Sequence, residues 1–273
     1  MGIVYACIAP HGAEIIPQLA GDKLRAFSET RRGMEAIATG IKDHKIDTIV
    51  IATPHNLRLR RNIGVIITEF TEGILKTDSG SIQIRCTCNR IFAEEILGEA
   101  ERAKLPIVGV NYGAAEGEAS CMSMDWGTLI PLWFFGCEAR KPKVVIATPS
   151  REIPLDNLVR FGKIIARVAE KSKIRTAFVA SADQAHTHKK KGPYGFHLDA
   201  KKFDKLVVDA VKEEKLKRLL RLDQKLVENA KPDSLWQMAV LMGVLDHVPL
   251  KGKFISYQAP TYFGMLCAAY TLD

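Results

Sequence analysis

Two apolar stretches of this chain end in nearly the same way, Ile8-Ala9-Pro10-His11 and Ile51-Ala52-Thr53-Pro54-His55. A proline before each histidine removes a backbone donor and biases the preceding residue toward an extended conformation. Each stretch is therefore expected to leave its strand extended, with an imidazole just past the carboxyl end. In open α/β sheets that edge is where ligands bind. Two imidazoles brought there side by side begin a metal site, because neutral imidazole is the commonest metal ligand.

The rest of the chain fits such a sheet. Strand-length apolar runs alternate with amphipathic stretches, the pattern of α/β proteins. Strands are expected over 3–8, 45–52, 106–110, 143–147 and 175–182, and helices over 28–43, 91–103 and 155–171. Ser28 reads as an N-cap. Residues 63–67 and 82–86 read as a strand pair across the turn Asp78-Ser79-Gly80. Segment 127–136 is too continuously apolar for a surface helix and is expected to be buried. Residues 199–222 read as helical with a break near Glu213, 234–245 as a buried helix, and 254–256 and 262–269 as closing strands. No linker, repeat or low-complexity tract interrupts this, so residues 1–273 are read as a single domain. Its expected core is a mixed, largely parallel sheet with helices on both faces.

Composition narrows the function classes. With 273 residues, 47% of them hydrophobic, the chain can build one large core. No apolar stretch reaches membrane-spanning length. The opening Met1-Gly2-Ile3-Val4-Tyr5 has no basic n-region and reads as a first strand, which also argues against lipidation of Gly2. The net charge of +8 is concentrated in Lys189-Lys190-Lys191, Lys201-Lys202 and residues 212–218. Without interleaved aromatics these read as solvated faces, not as a nucleic-acid surface. The positive field favours an anionic substrate. Of six cysteines only Cys86 and Cys88 lie close together, a weak metal signal. Cys7, Cys137 and Cys267 sit in apolar runs and read as small core residues. A reduced, cytoplasmic protein without disulfides is expected.

Two histidines need a third donor. Two histidines and a carboxylate make the facial triad of non-heme iron(II) oxygenases, and the same donors on zinc suit a hydrolase. Composition leaves both open. Asp183-Gln184-Ala185-His186-Thr187-His188 follows a late strand, and His186 reads either as a general acid or base or as part of a polar loop. Gly192-Pro193-Tyr194-Gly195-Phe196-His197 reads as a substrate wall or as a plain turn. His44 and His247 lie at helix ends and read as structural, with His44 in solvent.

His11, His55, Asp125-Trp126-Gly127-Thr128-Leu129-Ile130-Pro131-Leu132 and His186 occur in the order found in one family. In these segments, and nearly end to end, the chain resembles the class III extradiol dioxygenases of the protocatechuate 4,5-dioxygenase type, whose wider superfamily includes the Memo proteins. The resemblance implies that His11 and His55 are metal ligands and that His186 is the catalytic histidine beside the substrate hydroxyl. The family's third ligand, usually a glutamate, precedes a late helix, and here that position carries over to Asp233. An aspartate there is also a good N-cap. The ion implied is Fe2+, with Zn2+ and Mn2+ as alternatives. The implied partners are a catechol- or aminophenol-type substrate and O2, with a homodimer as the assembly. The family's Asp-His-Gly-Thr segment reads Asp125-Trp126-Gly127-Thr128 here. Tryptophan can stack on an aromatic ring but cannot shuttle protons. Trp126, His188, Tyr194 and His197 are expected around the substrate, and either the substrate differs from the usual catechols, His188 or His197 substitutes for the missing histidine, or ring opening has been lost. A Memo-like protein with altered or absent turnover is the competing expectation.

Overall fold

The computed structural model describes residues 1–137 and 142–272. Its strands are β1 (Ile3–Ala9), β2 (Thr48–Ala52), β3 (Ile63–Ile66), β4 (Phe70–Thr77), β5 (Gly80–Thr87), β6 (Ile107–Val110), β7 (Cys121–Ser123), β8 (Lys143–Pro149), β9 (Thr176–Ser181), β10 (Lys251–Gln258) and β11 (Met265–Thr271). Its helices are α1 (Pro17–Ala20), α2 (Ser28–Asp43), α3 (Arg90–Arg102), α4 (Trp126–Phe134), α5 (Leu155–Ser172), α6 (Asp199–Lys212), α7 (Gln224–Ala230) and α8 (Leu235–His247). Eight strands form one sheet in the order β10-β11-β1-β9-β2-β8-β3-β6. The four central strands β1, β9, β2 and β8 run parallel, while β11 and β3 flank them antiparallel. This is the mixed, largely parallel α/β sheet that the sequence implied.

Continuous apolar strands need cover on both faces. Ala6 and Ile8 of β1 join Val50, Phe178 and the inner sides of α5, α6 and α8 in one core. Tyr5, Cys7 and Ala9 join Ile49, Ile51 and residues of α2 and α4 in the other. Helix α8 is apolar around most of its circumference, as a helix enclosed by protein must be. It crosses α5 at a two-glycine contact. A Cβ on Gly162 would overlap the Val240 carbonyl, and one on Gly243 would overlap the Val159 carbonyl. That close approach seats the start of α8 over the carboxyl edge of the sheet.

Several local expectations need correction. The hairpin across Asp78-Ser79 joins β4 to β5, while β3 lies in the main sheet between β8 and β6. Strand β4 alternates buried and exposed residues around charged ones, which hid it among polar positions. Ser28 is the first residue of α2, and Phe27 stands at the cap without a side-chain bond. His44 is partly buried, with Nδ1 2.8 Å from the Gly40 carbonyl and its ring against Tyr5. The break near Glu213 is real: α6 ends at Lys212 and a 3-10 turn follows over 216–221. All six cysteines are free.

Candidate metal centre

Parallel pairing puts the ends of β1, β9 and β2 along one edge, with Ala9 opposite Ser181 and Ala180 opposite Ala52. His11 follows β1 and is 2% exposed. Its backbone N–H donates to Asp183 Oδ1 at 3.1 Å, and its Nδ1 lies 2.9 Å from Ser181 Oγ. The Ser181 hydroxyl donates to the Gly127 carbonyl at 2.5 Å, so its proton is committed and it accepts from His11. That pair fixes the Nδ1–H tautomer and frees Nε2 for a ligand, an arrangement shared by metal-binding histidines.

His55, after β2, is held differently. The Thr53 hydroxyl accepts from the His55 N–H at 3.4 Å and donates to Asp125 Oδ1 at 2.7 Å. Asp125 caps α4, accepting from the Thr128 N–H and hydroxyl, and it also accepts from Asn56 Nδ2. Trp126 stacks on the His55 ring with centroids 4.2 Å apart. A Cβ on Gly127 would come within 2.7 Å of Thr53 Oγ1 and 3.3 Å of the His55 ring. The Asp-Trp-Gly-Thr segment is thus a bracket that touches both histidines, through Ser181 on one side and by stacking on the other.

Asp233 arrives from the opposite layer. Lys231, at φ 52°, ends α7 and turns the chain through Pro232 toward α8. The N-cap of α8 is Ser234, and Asp233 does not cap the helix. Its Oδ1 accepts from the Asp183 N–H at 3.0 Å, and its Oδ2 lies 3.1 Å from His55 Nε2 and 3.5 Å from His11 Nε2. The two Nε2 atoms are 3.1 Å apart. For metal–ligand bonds of about 2.1 Å, neighbouring donors stand about 3.0 Å apart in an octahedron and about 3.4 Å apart in a tetrahedron. The observed triangle suits either geometry. His11, His55 and Asp233 are therefore a candidate metal site, and its donor chemistry fits a divalent ion.

The electrostatics agree. Burial lowers the basicity of His11, but Asp183 and Asp233 outweigh it and push the imidazole up to about 9. Burial would raise the Asp233 carboxyl, yet His11, His55 and His186 hold it well below the usual range. Burial pushes the Asp183 carboxyl up to about 7, with His11 opposing. Without an ion, a proton on His11 relieves the repulsion among the converging donors. A metal ion would take over that task.

His186 Nε2 lies 3.6 Å from Asp233 Oδ2, beside the triangle. Its ring stacks on Phe263 and meets Tyr194 and Tyr262. Burial shifts its titration downward, so the imidazole is neutral near pH 7. A cavity of about 600 Å3 opens here, walled by His55, His186, Asp233, Tyr194, Arg58 and Arg151 among others. The other two expected substrate histidines stand elsewhere. His188 lines a separate cavity and lies 2.7 Å from Asp204 Oδ2. His197 is largely exposed, its Nδ1 accepting from the Asp199 N–H. Neither lines the cavity that His55, His186 and Tyr194 wall, because His188 is turned to Asp204 and His197 to Asp199 at the surface. Trp126 is 48% exposed and lies behind His55.

Sequence reasoning missed Asp183, Ser181 and Arg151. Asp183 looked like a loop residue, although a carboxylate directly after a parallel strand is the available signal. The Arg151 guanidinium lies over the Trp236 ring, 4.9 Å from its centroid.

Residues 5–266 match the family described as the catalytic LigB subunit of aromatic ring-opening dioxygenase, and the chain belongs to that family. Protein CA_C1420 of Clostridium acetobutylicum is 25% identical over 252 residues, 92% of this chain. The match covers 54% of that relative, so the chain spans about half its length. The crystal structure of an uncharacterized Escherichia coli K12 protein, JW3007, shares the fold. Its TM-score is 0.63 at 16% identity, over 97% of this chain and 99% of that one. No helix among the described residues is long and apolar enough to cross a membrane.

Proposed function

We propose that the protein is a non-heme iron(II) extradiol dioxygenase that opens a catechol- or aminophenol-type ring with O2. One observation carries this reading: His11, His55 and Asp233 converge at the sheet edge with His186 just beyond them, at the wall of a cavity. The three donors would hold Fe2+, leaving coordination positions for substrate and dioxygen, and the ion would supply the redox chemistry. The chain's own residues do the rest. His186 is uncharged and ringed by aromatics, so its Nε2 is suited to accept a proton from a substrate hydroxyl and to return it. Phe263 and Tyr194 fix the plane of that imidazole. Arg58 and Arg151 give an acidic substituent a partner on the outer wall, which favours anionic aromatics. Zn2+ or Mn2+ in the same triangle would retain the ligand set with different chemistry.

One observation favours a second reading. Trp126 occupies the position of the family's additional histidine, and no histidine among the described cavity residues takes over that group's proton chemistry. A Memo-like protein that binds metal without ring opening would look the same at His11, His55 and Asp233. Anaerobic purification, Fe2+ reconstitution and oxygen uptake over a panel of catechols separate the two. Uptake with a yellow ring-opened product supports the dioxygenase, and one bound ion without uptake supports the Memo-like reading. A cytoplasmic homodimer is the assembly we infer from the family.

A further inference from the structure

The His186 loop is fixed from behind by a buried group that the proposed chemistry does not use. Asp204, on α6, is 1% exposed and both of its oxygens are engaged. Oδ1 accepts from the Ala185 N–H at 2.8 Å. Oδ2 accepts from the Tyr257 hydroxyl at 2.6 Å and faces His188 Nε2 at 2.7 Å. An ionised carboxylate only accepts, so His188 donates through Nε2–H. The same oxygen lies against Gly264, where a Cβ would overlap it. Gly264 pairs with this loop, accepting from the Gln184 N–H and donating to the Ala185 carbonyl. The His188 N–H donates to the Tyr262 carbonyl. Asp204 therefore ties residues 185 and 188 to Tyr257 on β10, while the backbone bonds join the same loop to Tyr262 and Gly264. His186 stands between the first two, and Tyr262 and Phe263 supply two of the rings around it.

We propose that Asp204, His188 and Tyr257 form a positioning triad that sets the orientation of the His186 imidazole toward the substrate side of the metal centre. This rests on the reading of His186 as the proton-handling group. None of the three is a ligand or lines the metal cavity. Their loss should leave ion binding intact and slow only the step in which His186 takes part. His188 thus serves the site through Asp204, in place of the direct substrate contact expected from sequence.

The test uses the full-length, metal-loaded protein with His188→Leu, His188→Gln and Tyr257→Phe. Glutamine keeps a donor at the reach of Nε2, and Tyr257→Phe removes one hydroxyl with little change of shape. In His188→Leu, amide exchange over residues 183–188 should rise about tenfold while residues 9–12 and 53–56 stay protected. With a catechol that the wild type turns over, kcat should fall about tenfold with KM within about twofold and metal content unchanged. His188→Gln should restore both, and Tyr257→Phe should show a smaller loss of the same kind. Unchanged exchange in His188→Leu overturns the proposal, and so does increased exchange with unchanged kcat. Should the wild type turn over no catechol, the dioxygenase reading falls and the positioning claim is decided by His186 ring resonances in the zinc-loaded protein. Ring shifts in His188→Leu that His188→Gln reverses support it, and unmoved resonances overturn it.

Discussion

His11 and His55 leave parallel strands through the same Pro-His step, yet what holds them differs. The His11 side chain is 1% exposed and is fixed through Ser181 and the buried carboxylates of Asp183 and Asp233. The His55 side chain is 13% exposed, faces the cavity and is held by stacking on Trp126 and by the Thr53–Asp125 bond. One histidine is part of the core's electrostatic balance. The other is a wall of the cavity. Both offer the same donor atom, so ligand chemistry and structural role separate cleanly between them.

Replacing either histidine by alanine should weaken divalent-ion binding by more than about 100-fold, beyond the 10–100-fold typical of outer-shell partners. Only His11→Ala should also unfold easily. It leaves two buried carboxylates facing each other, and breaking a buried pair costs about 3–5 kcal/mol. His55→Ala should cost about 1 kcal/mol or less, a difference read from denaturant midpoints of the ion-free proteins. Equal losses in both variants would erase the distinction.

The pH response sharpens it further. The His11 titration is raised to about 9, so its contribution to the ion-free fold is complete below the ordinary histidine value. That contribution fades as pH rises through about 9. Ion binding must displace this proton, so affinity should climb about tenfold per pH unit before levelling above about 9. Calorimetry in buffers of different ionisation enthalpy counts the released proton. A flat profile would mean that no proton leaves His11 when the ion binds.

Smaller effects are expected from the supports. Ser181→Ala frees the His11 tautomer and should weaken ion binding by about 10–100-fold without unfolding the chain. Trp126→His removes the stack on His55, worth about 0.5–1.5 kcal/mol, and should leave ion content unchanged in metal analysis. If Trp126→His released the ion, stacking would be holding His55 as firmly as Ser181 holds His11.

Much of this was legible in the sequence where a feature was local. The Pro-His exits, the long amphipathic helices α2, α3 and α5 and the buried α8 all follow from periodicity and backbone restriction. Strand β4 was hidden because its inward residues alternate with Glu72 and Lys76, and β7 is too short to signal. The site divides in the same way. His11, His55 and Asp233 stand together, whereas His188 points to Asp204 and His197 to the surface. Side-chain direction in a loop depends on distant partners: Asp183 and Ser181 act through hydrogen bonds to residues about 170 positions away, such as the pair formed with His11. No spacing rule reaches that far.

The most direct test is anomalous diffraction from crystals of the protein reconstituted anaerobically with Fe2+. One peak per chain is expected, about 2.0–2.3 Å from His11 Nε2, His55 Nε2 and Asp233 Oδ2. A peak elsewhere, or none in protein that binds iron in solution, would contradict it.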